Sequence, residues 1–179
     1  MVVALLGWFV LEVRQGRRTR PDATPADRGS LWVLRVTTAL GILAAAAVAA
    51  LAPGATAAQP FAAWASVVLV VTGAGLRWWS FRTLGQYFTF AVAVSPEQPV
   101  MEHGPYRLVR HPAYLGMLIA LTGVALLIGN WLGLLAFEAV VVPGLVYRIR
   151  VEEQALASAT GPRWATYAAR TRRLVPFVW

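Results

Sequence analysis

Long apolar segments are the feature that most constrains how this chain can fold. Hydrophobic runs occupy Val2–Val13, Leu31–Ala52, Phe61–Trp79, Ala113–Ile128 and Trp131–Tyr147. A helix needs about 20 apolar residues to cross the hydrocarbon core of a bilayer, with a range of about 17–25. We therefore expect an all-α integral membrane protein with about five transmembrane helices. The first run is short, so it spans only if its helix continues past Arg14.

The connection between the last two runs is very short, since only Gly129 and Asn130 separate them. Two residues cannot join parallel helices across a bilayer. The last two helices are therefore predicted to form a tight helical hairpin.

The composition excludes several other classes of protein. Hydrophobic residues make up 58% of the chain and charged residues 13%, against about 45–50% and about 25% in soluble domains. A disordered or nucleic-acid-binding tail would be far more polar, so no nucleic-acid partner is expected. Cysteine is absent, which excludes disulfides and Cys-ligated metal sites. Membrane lipids are the expected surroundings.

The positive charge is carried by arginine alone, and the net charge is +8. The arginines fall into three groups, at 14–35, 77–110 and 148–173, and the connections 53–60 and 129–130 carry none. The positive-inside rule places the three groups on the cytosolic side. We expect a multi-pass cell-membrane protein with the N-terminus outside and the C-terminus cytosolic. Topology and attraction to anionic lipids explain most of the charge.

Residues 103–116 form the densest cluster of reactive side chains, and they contain both histidines of the chain. Pro112 restricts His111 to an extended conformation and is well suited to begin a helix. The free N–H groups of that helix start can receive an anionic group. A proline-capped helix start with interfacial Arg and Tyr anchors is an equally physical interpretation. Two histidines without a cysteine or a nearby carboxylate pair do not predict a metal site.

A second polar cluster, residues 148–153, follows the fifth run. Arg148 and Glu152 are four residues apart and share one helix face, whereas Glu153 points about 100° away. The first two residues could form an interfacial ion pair worth roughly 0.3–0.5 kcal/mol. Alternatively, the carboxylates bind a cation at the membrane surface. The chain has only 8 acidic residues, and two adjacent ones at this place favour cation binding.

One acidic residue lies within an apolar run. Glu138 stands between Phe137 and Ala139, where a carboxylate is costly and indicates a polar cavity or a partner on a neighbouring helix. Pro143 follows it and is expected to kink the helix, which could open a lateral entrance to a tunnel lined by Glu138.

The motif residues together resemble a known family. The sequence reads Gly104-Pro105-Tyr106-Arg107, then Arg110-His111-Pro112-x-Tyr114-x-Gly116. This resembles the signature of the isoprenylcysteine carboxyl methyltransferase family and its phospholipid methyltransferase relatives. The stretch 83–89 resembles prokaryotic members, and a C-terminal block is similar at Arg148, Glu152, Glu153, Gly161, Trp164, Tyr167 and 175–177. The resemblance covers about residues 77–179.

The resemblance implies S-adenosylmethionine as cofactor on the cytosolic side and an isoprenoid-bearing or similar lipophilic acceptor that enters from the membrane. The cofactor site would be lined by Gln98, Val100, Met101, Tyr106, His111, Pro112, Ala113, Tyr114 and Glu152. The predicted catalytic residues are Arg148, which would face the acceptor, and Glu153. Family members often have His where Gln98 stands; Gln keeps a hydrogen-bonding side chain but cannot carry charge.

The implied reaction is O-methylation of an isoprenylcysteine-like carboxylate. Such an acceptor is already anionic and needs no general base, and Arg148 suits it as an electrostatic clamp. A phospholipid amine would need a base, for which His111 or Glu153 could serve. The alternatives are a phospholipid amine or small-thiol methyltransferase, an NADPH-dependent sterol-type reductase that shares the Arg-His-Pro turn, and an inactive scaffold. We expect residues 1–179 to form one membrane-embedded domain, with the cofactor-binding and catalytic part at about 77–179.

Overall fold

The computed structural model describes residues 23–56, 59–95, 97–175 and 179. Its helices are α1 (Ser30–Leu51), α2 (Gln59–Leu84), α3 (Pro112–Leu126), α4 (Trp131–Thr160) and α5 (Pro162–Arg170). Two short strands, β1 (Thr24–Pro25) and β2 (Ala93–Val94), pair antiparallel with Thr24 opposite Val94. Short 3₁₀ turns occupy Gly85–Tyr87 and Gly104–Arg107. The predicted first helix, Val2–Val13, lies outside the described residues.

The prediction of an all-α membrane protein is confirmed. Helices α1, α2 and α4 are long and apolar enough to cross a membrane, whereas α3 is shorter. Each contains one of the predicted apolar runs. Helix α4 continues past the apolar run that ends at Tyr147 and reaches Thr160, so that Arg148 and the two following carboxylates lie on the same helix. The count of five spans and the orientation in the membrane stay predictions.

Glycines bring the helices together in two pairs, α1 with α4 and α2 with α3. A Cβ atom added at Gly73 of α2 would lie 2.5 Å from the Gly116 carbonyl oxygen of α3. A Cβ atom added at Gly133 of α4 would lie 2.8 Å from the Ala45 carbonyl oxygen of α1. Small residues are typical of membrane helix interfaces because they let backbones touch.

The predicted hairpin between α3 and α4 is present, and its connection is anchored on the end of α1. The Asn130 amide donates to the Ala52 carbonyl oxygen at 2.7 Å, and its side-chain oxygen caps α4 by accepting from the Gly133 N–H. Thr56 and Asn130 form a β-bridge. The two arginine-free connections therefore meet at one end of the helices. Helices α3 and α4 contact each other sparsely, because each packs mainly on another partner.

The outer faces of the helices carry large exposed apolar side chains. Trp32 is 69% exposed, Phe61 78% and Trp64 73%. An apolar surface of this kind on a water-soluble monomer would be unusual, and on membrane helices it faces lipid.

At the opposite end, the loop before α3 and the C-terminal segment form one layer. The Arg110 N–H donates to the Arg172 carbonyl oxygen at 2.7 Å, and the His111 N–H to that of Arg173 at 2.9 Å. The Tyr167 hydroxyl of α5 donates to the Tyr106 carbonyl oxygen at 2.6 Å. These bonds hold the predicted cofactor-binding loop against the C-terminal segment.

Candidate active site

A pocket lies at this arginine-rich end, between the loop 87–101, the starts of α3 and α5, and the second half of α4. Including its open mouth it contains about 860 Å³ of empty space. The predicted site residues that line it are Gln98, Val100, Met101, Tyr106, His111, Ala113, Tyr114, Arg148 and Glu152. Pro112 and Glu153 are not among the lining residues.

Arg148 is the most deeply buried charged residue of the site, with only 2% of its surface exposed. Its Nε donates to the Tyr114 hydroxyl at 2.9 Å, and its Nη1 donates to the Ser30 hydroxyl at 2.6 Å. Further bonds join the guanidinium to the carboxylate of Asp27 and to the carbonyl oxygen of Phe90. A guanidinium has five N–H hydrogens, so one at Nη2 is left without a partner among the described residues.

Tyr114 links the two charged residues that were predicted to share a helix face. Its hydroxyl accepts from Arg148 and donates to Glu152 Oε2 at 2.6 Å. Arg148 and Glu152 therefore communicate through the tyrosine and do not form the direct i,i+4 ion pair. Since Tyr114 is the one hydrogen-bond partner of Glu152 in the described part of the chain, Oε1 keeps its capacity to bind a ligand.

Asp27 supplies the negative charge next to Arg148. It also accepts from the Val92 N–H at 3.1 Å and from the Leu31 N–H at 3.2 Å. Partial burial opposes ionisation of the carboxyl, but these two N–H groups and the Arg148 guanidinium outweigh it and lower the pKa of Asp27. Asp27 is therefore an anion that joins α1, the pocket loop and Arg148.

Glu153 has different surroundings from Glu152. It accepts from Arg110 Nε and from Arg173 Nε, both at 2.8 Å, and lies 3.3 Å from His111 Nε2. The residue predicted to act as a catalytic group thus lies behind the pocket and ties the loop before α3 to the C-terminal segment.

His111 stands at the junction of these two networks. Its side chain is buried, and its ring stacks on Tyr114 with centroids 5.6 Å apart. It lies at the N-cap position of α3 with Pro112 as the first helical residue, as the sequence predicts, but its backbone (φ −124°, ψ 55°) does not have the predicted extended conformation. Pro112 therefore acts through the backbone, by fixing where α3 begins.

Aromatic side chains form another part of the pocket lining. Tyr106 is buried, and this burial, with the negative charge of Glu152 as the next cause, raises the pKa of its hydroxyl well above its usual value. Burial also raises the pKa of Tyr167, whose ring packs against Trp164 with centroids 5.6 Å apart. Both phenols stay neutral, so this wall offers hydrogen bonds and stacking surface without charge.

The loop side of the pocket is mainly apolar. It consists of residues such as Phe88, Val92, Val100 and Met101, with the buried amide of Gln98 among them. The pocket therefore combines one apolar wall with a carboxylate and a guanidinium held on α4, which suits a ligand that is amphipathic and carries both signs of charge.

Glu138 lies away from the pocket. The Thr122 hydroxyl of α3 donates to its Oε1 at 2.5 Å, so the partner on a neighbouring helix that the sequence allowed is present. Glu138 does not line the pocket. Helix α4 continues through Pro143 as a single helix.

The role of Asp27 was not predicted from the sequence. Asp27 lies just before α1, whose N-cap is Gly29, and its carboxylate accepts from the Ser30 hydroxyl and from the Leu31 N–H, both at 3.2 Å. The link to Arg148 had no local signal, because the two residues are far apart in sequence.

The central part of the chain is similar to a known protein family. Residues 66–158 match the isoprenylcysteine carboxyl methyltransferase (ICMT) family. The chain belongs to this family. The match includes α3, the whole loop 87–101 and the two carboxylates of α4, whereas Asp27 and α5 lie outside it. Family membership implies a methyl donor and a lipid environment.

Several relatives are named as protein-S-isoprenylcysteine O-methyltransferases. The chain is 32% identical over 114 residues to protein-S-isoprenylcysteine O-methyltransferase A of Arabidopsis thaliana, which covers 63% of this chain and 58% of the relative. It is 32% identical over 120 residues to a probable protein-S-isoprenylcysteine O-methyltransferase of Oryza sativa subsp. indica, covering 66% and 63%. The Schizosaccharomyces pombe enzyme is 31% identical over 96 residues, covering 52% and 41%. The chain thus spans about three fifths of the plant relatives it matches.

Proposed function

We propose that this protein transfers a methyl group from S-adenosylmethionine to the carboxylate of an isoprenylcysteine-like acceptor, at the cytosolic face of a cell membrane. The observation that carries the proposal is the Arg148–Tyr114–Glu152 arrangement. It places a cation and an anion on one wall of a pocket at the end of membrane helices. The names of the relatives point to the same acceptor class.

The residues present fit the cofactor. When bound, S-adenosylmethionine supplies a methyl group on a sulfonium, which an anionic oxygen can accept without an acid to assist the leaving group. The free Oε1 of Glu152 suits the positive groups of this molecule. The neutral wall of Tyr106, Trp164 and Tyr167 offers stacking surface to its adenine ring.

Arg148 suits the acceptor. A guanidinium that is already fixed on Tyr114, Ser30 and Phe90 loses little freedom when it receives a carboxylate. The remaining Nη2 hydrogen, reinforced by the charge of the group, can hold the acceptor oxygen toward Glu152. The work of the chain is then alignment of the two reactants and exclusion of water by the apolar loop.

The structure favours an anionic acceptor over an amine. An amine must lose a proton during methylation, so the pocket would need a base. Glu153, one candidate for this role, is engaged by Arg110 and Arg173 and does not line the pocket. His111 does line the pocket, but its Nε2 lies 3.3 Å from Glu153 Oε1 and its ring stacks on Tyr114. A carboxylate acceptor requires no such group.

Transfer of tritiated methyl from S-adenosylmethionine tests the proposal. Purified protein in lipid nanodiscs is offered farnesylated N-acetylcysteine, its carboxamide, phosphatidylethanolamine or an alkyl thiol in separate reactions. We expect label only in the carboxylate acceptor, released as methanol by alkali because the product is an ester. Alkali-stable label in the amine or the thiol would overturn the acceptor assignment.

A binding experiment separates the cofactor from the acceptor. Calorimetric titration with S-adenosylhomocysteine is expected to give saturable binding, and NADPH none. Saturable NADPH binding without S-adenosylhomocysteine binding would support a reductase and contradict methyl transfer altogether.

A further inference from the structure

The segment before α1 lies across the pocket loop. Strand β1 pairs with β2, the Ala26 N–H donates to the Val92 carbonyl oxygen at 2.8 Å, and the Val92 N–H donates back to Asp27. Val92 and both residues of β2 line the pocket. This segment, residues 24–28, therefore fixes one wall of the pocket although it belongs to no conspicuous motif.

Asp27 differs from its neighbours in what it contacts. Its carboxylate binds Nη1 of Arg148, while the contacts of the adjacent Arg28 with other described residues are exposed. The Arg28 side chain donates to Gln154 at 3.2 Å, and its carbonyl oxygen accepts from the Tyr147 hydroxyl at 3.4 Å. The segment is thus attached to α4 at two places. One attachment reaches the proposed acceptor-binding group and the other does not.

The bonds of Asp27 set the orientation of the guanidinium. Asp27 and the Ser30 hydroxyl take both hydrogens of Nη1, which leaves the plane of the guanidinium no freedom to turn. Asp27 is itself held by the N–H groups of Val92 and Leu31. A planar, delocalised cation recognises a carboxylate through the direction of its N–H groups, so orientation decides whether the remaining hydrogen can reach a ligand.

We propose that Asp27 is a positioning residue that orients Arg148 for recognition of the acceptor carboxylate. The inference rests on the proposed function, because it assumes that Arg148 receives the acceptor. Asp27 acts through Arg148 and touches neither reactant. It adds to the site a residue outside the part of the chain that matches the family.

The test compares binding of two ligands that differ in one group, farnesylated N-acetylcysteine and its carboxamide, to the full-length protein in nanodiscs. The wild type is expected to prefer the carboxylate by about tenfold, the value of one well-oriented charge-assisted hydrogen bond. Asp27→Ala is expected to abolish most of this preference while the affinity for S-adenosylhomocysteine is unchanged. Gln154→Ala, which removes the exposed contact between Gln154 and Arg28 of the same segment, is expected to leave both affinities as in the wild type.

The outcomes distinguish the inference from the function on which it rests. If the wild type binds both ligands equally, the proposed role of Arg148 is wrong. If the wild type prefers the carboxylate and Asp27→Ala retains or increases that preference, Asp27 is a competitor or a bystander and the positioning role is wrong. Loss of S-adenosylhomocysteine binding together with the preference would show a general role in holding the pocket loop.

A second variant protects the test against loss of the fold. Asp27→Asn keeps the shape of the side chain and one acceptor oxygen but removes the charge. If Asp27→Ala gives no cooperative thermal transition, the same pair of titrations is made on Asp27→Asn, for which a reduced carboxylate preference is again expected. An undiminished preference in a folded Asp27→Asn protein would overturn the proposal.

Discussion

Two sides of helix α4 carry carboxylates, Glu152 and Glu153, whose surroundings differ. On the pocket side, Arg148 and Glu152 meet at the Tyr114 hydroxyl, and each keeps some hydrogen-bonding capacity that no described residue uses. On the side that faces the loop before α3 and the C-terminal segment, Glu153 is surrounded by Arg110, Arg173 and His111. One residue step, about 100° around the helix, separates these environments.

The difference shows that two adjacent carboxylates can have separate roles, one structural and one in ligand binding. A carboxylate held by several cations and kept from the pocket stabilises the arrangement of two loops. A carboxylate held at one oxygen by a phenol can still receive a ligand. We therefore expect substitution of Glu152 to change ligand affinity and substitution of the adjacent Glu153 to change stability.

The largest effect is expected at Arg148. Arg148→Ala should lower kcat/KM for the carboxylate acceptor by at least about 100-fold, because the charge that holds the acceptor is lost. Affinity for S-adenosylhomocysteine should largely survive. Methyl transfer kinetics and calorimetry measure the two quantities. Arg150→Ala is the matched control, since Arg150 is exposed on the same helix, and it should behave like the wild type.

Equal losses of acceptor turnover and cofactor affinity in Arg148→Ala would assign Arg148 to the cofactor site. Arg148→Lys refines the comparison, because it keeps the charge but not the planar fork. Activity close to the wild type in this variant would show that a positive charge alone is sufficient to hold the acceptor carboxylate.

The next effect is expected at Glu152. Glu152→Gln should weaken S-adenosylhomocysteine binding by about tenfold, the value of a lost charge-assisted contact, while the melting temperature changes little. The amide oxygen can still accept from the Tyr114 hydroxyl. Calorimetric titration measures the affinity, and an unchanged affinity would contradict the cofactor role of Glu152.

Glu153→Gln should lower stability more than cofactor affinity, the reverse of the pattern expected for Glu152→Gln. Loss of the negative charge between Arg110 and Arg173 should lower the free energy of unfolding by about 2 kcal/mol, with a smaller change in cofactor affinity than Glu152→Gln shows. Thermal unfolding in nanodiscs measures the first quantity. A variant that is as stable as the wild type but inactive would restore the predicted catalytic role of Glu153.

The smallest effect is the pH dependence contributed by Asp27. Its pKa is lower in the folded protein than in the unfolded chain, where it is about 3.9. Its contribution to stability is therefore present above that value and is lost as the pH falls through the folded-state pKa. The melting temperature of the wild type should exceed that of Asp27→Asn at pH 6, and the gap should narrow below about pH 4. A gap independent of pH would show that the shape of the side chain, not its charge, matters.

Local patterns predicted much of the fold. The apolar runs located α1 to α4, because a helix in lipid must be apolar along its whole length. Pro112 located the start of α3, and the four-residue spacing of Arg148 and Glu152 placed both on one face of α4. The extension of α4 beyond Glu153 to Thr160 was not predicted, because the residues there lie outside both the apolar run and the polar cluster that indicated the helix.

The partners of the charged residues were beyond the reach of the sequence. The resemblance grouped Arg148 and Glu153 as catalytic residues; in the structure Arg148 lines the pocket and Glu153 is not among the lining residues. The Tyr114–Glu152 bond joins helices α3 and α4, and the Asp27–Arg148 bond joins α4 to the segment before α1. Neither contact can be predicted until these elements are placed together.

The sequence by itself determined the class of protein, the positions of the described membrane helices and the family, because each depends on runs or spacings within short segments. Only the tertiary structure decided which helices pair, which carboxylate faces the pocket and what holds Arg148. Those contacts join residues such as Asp27 and Arg148 that are more than 100 positions apart. Their energy comes from charge and hydrogen-bond geometry in a buried site, which exists only after the chain has folded.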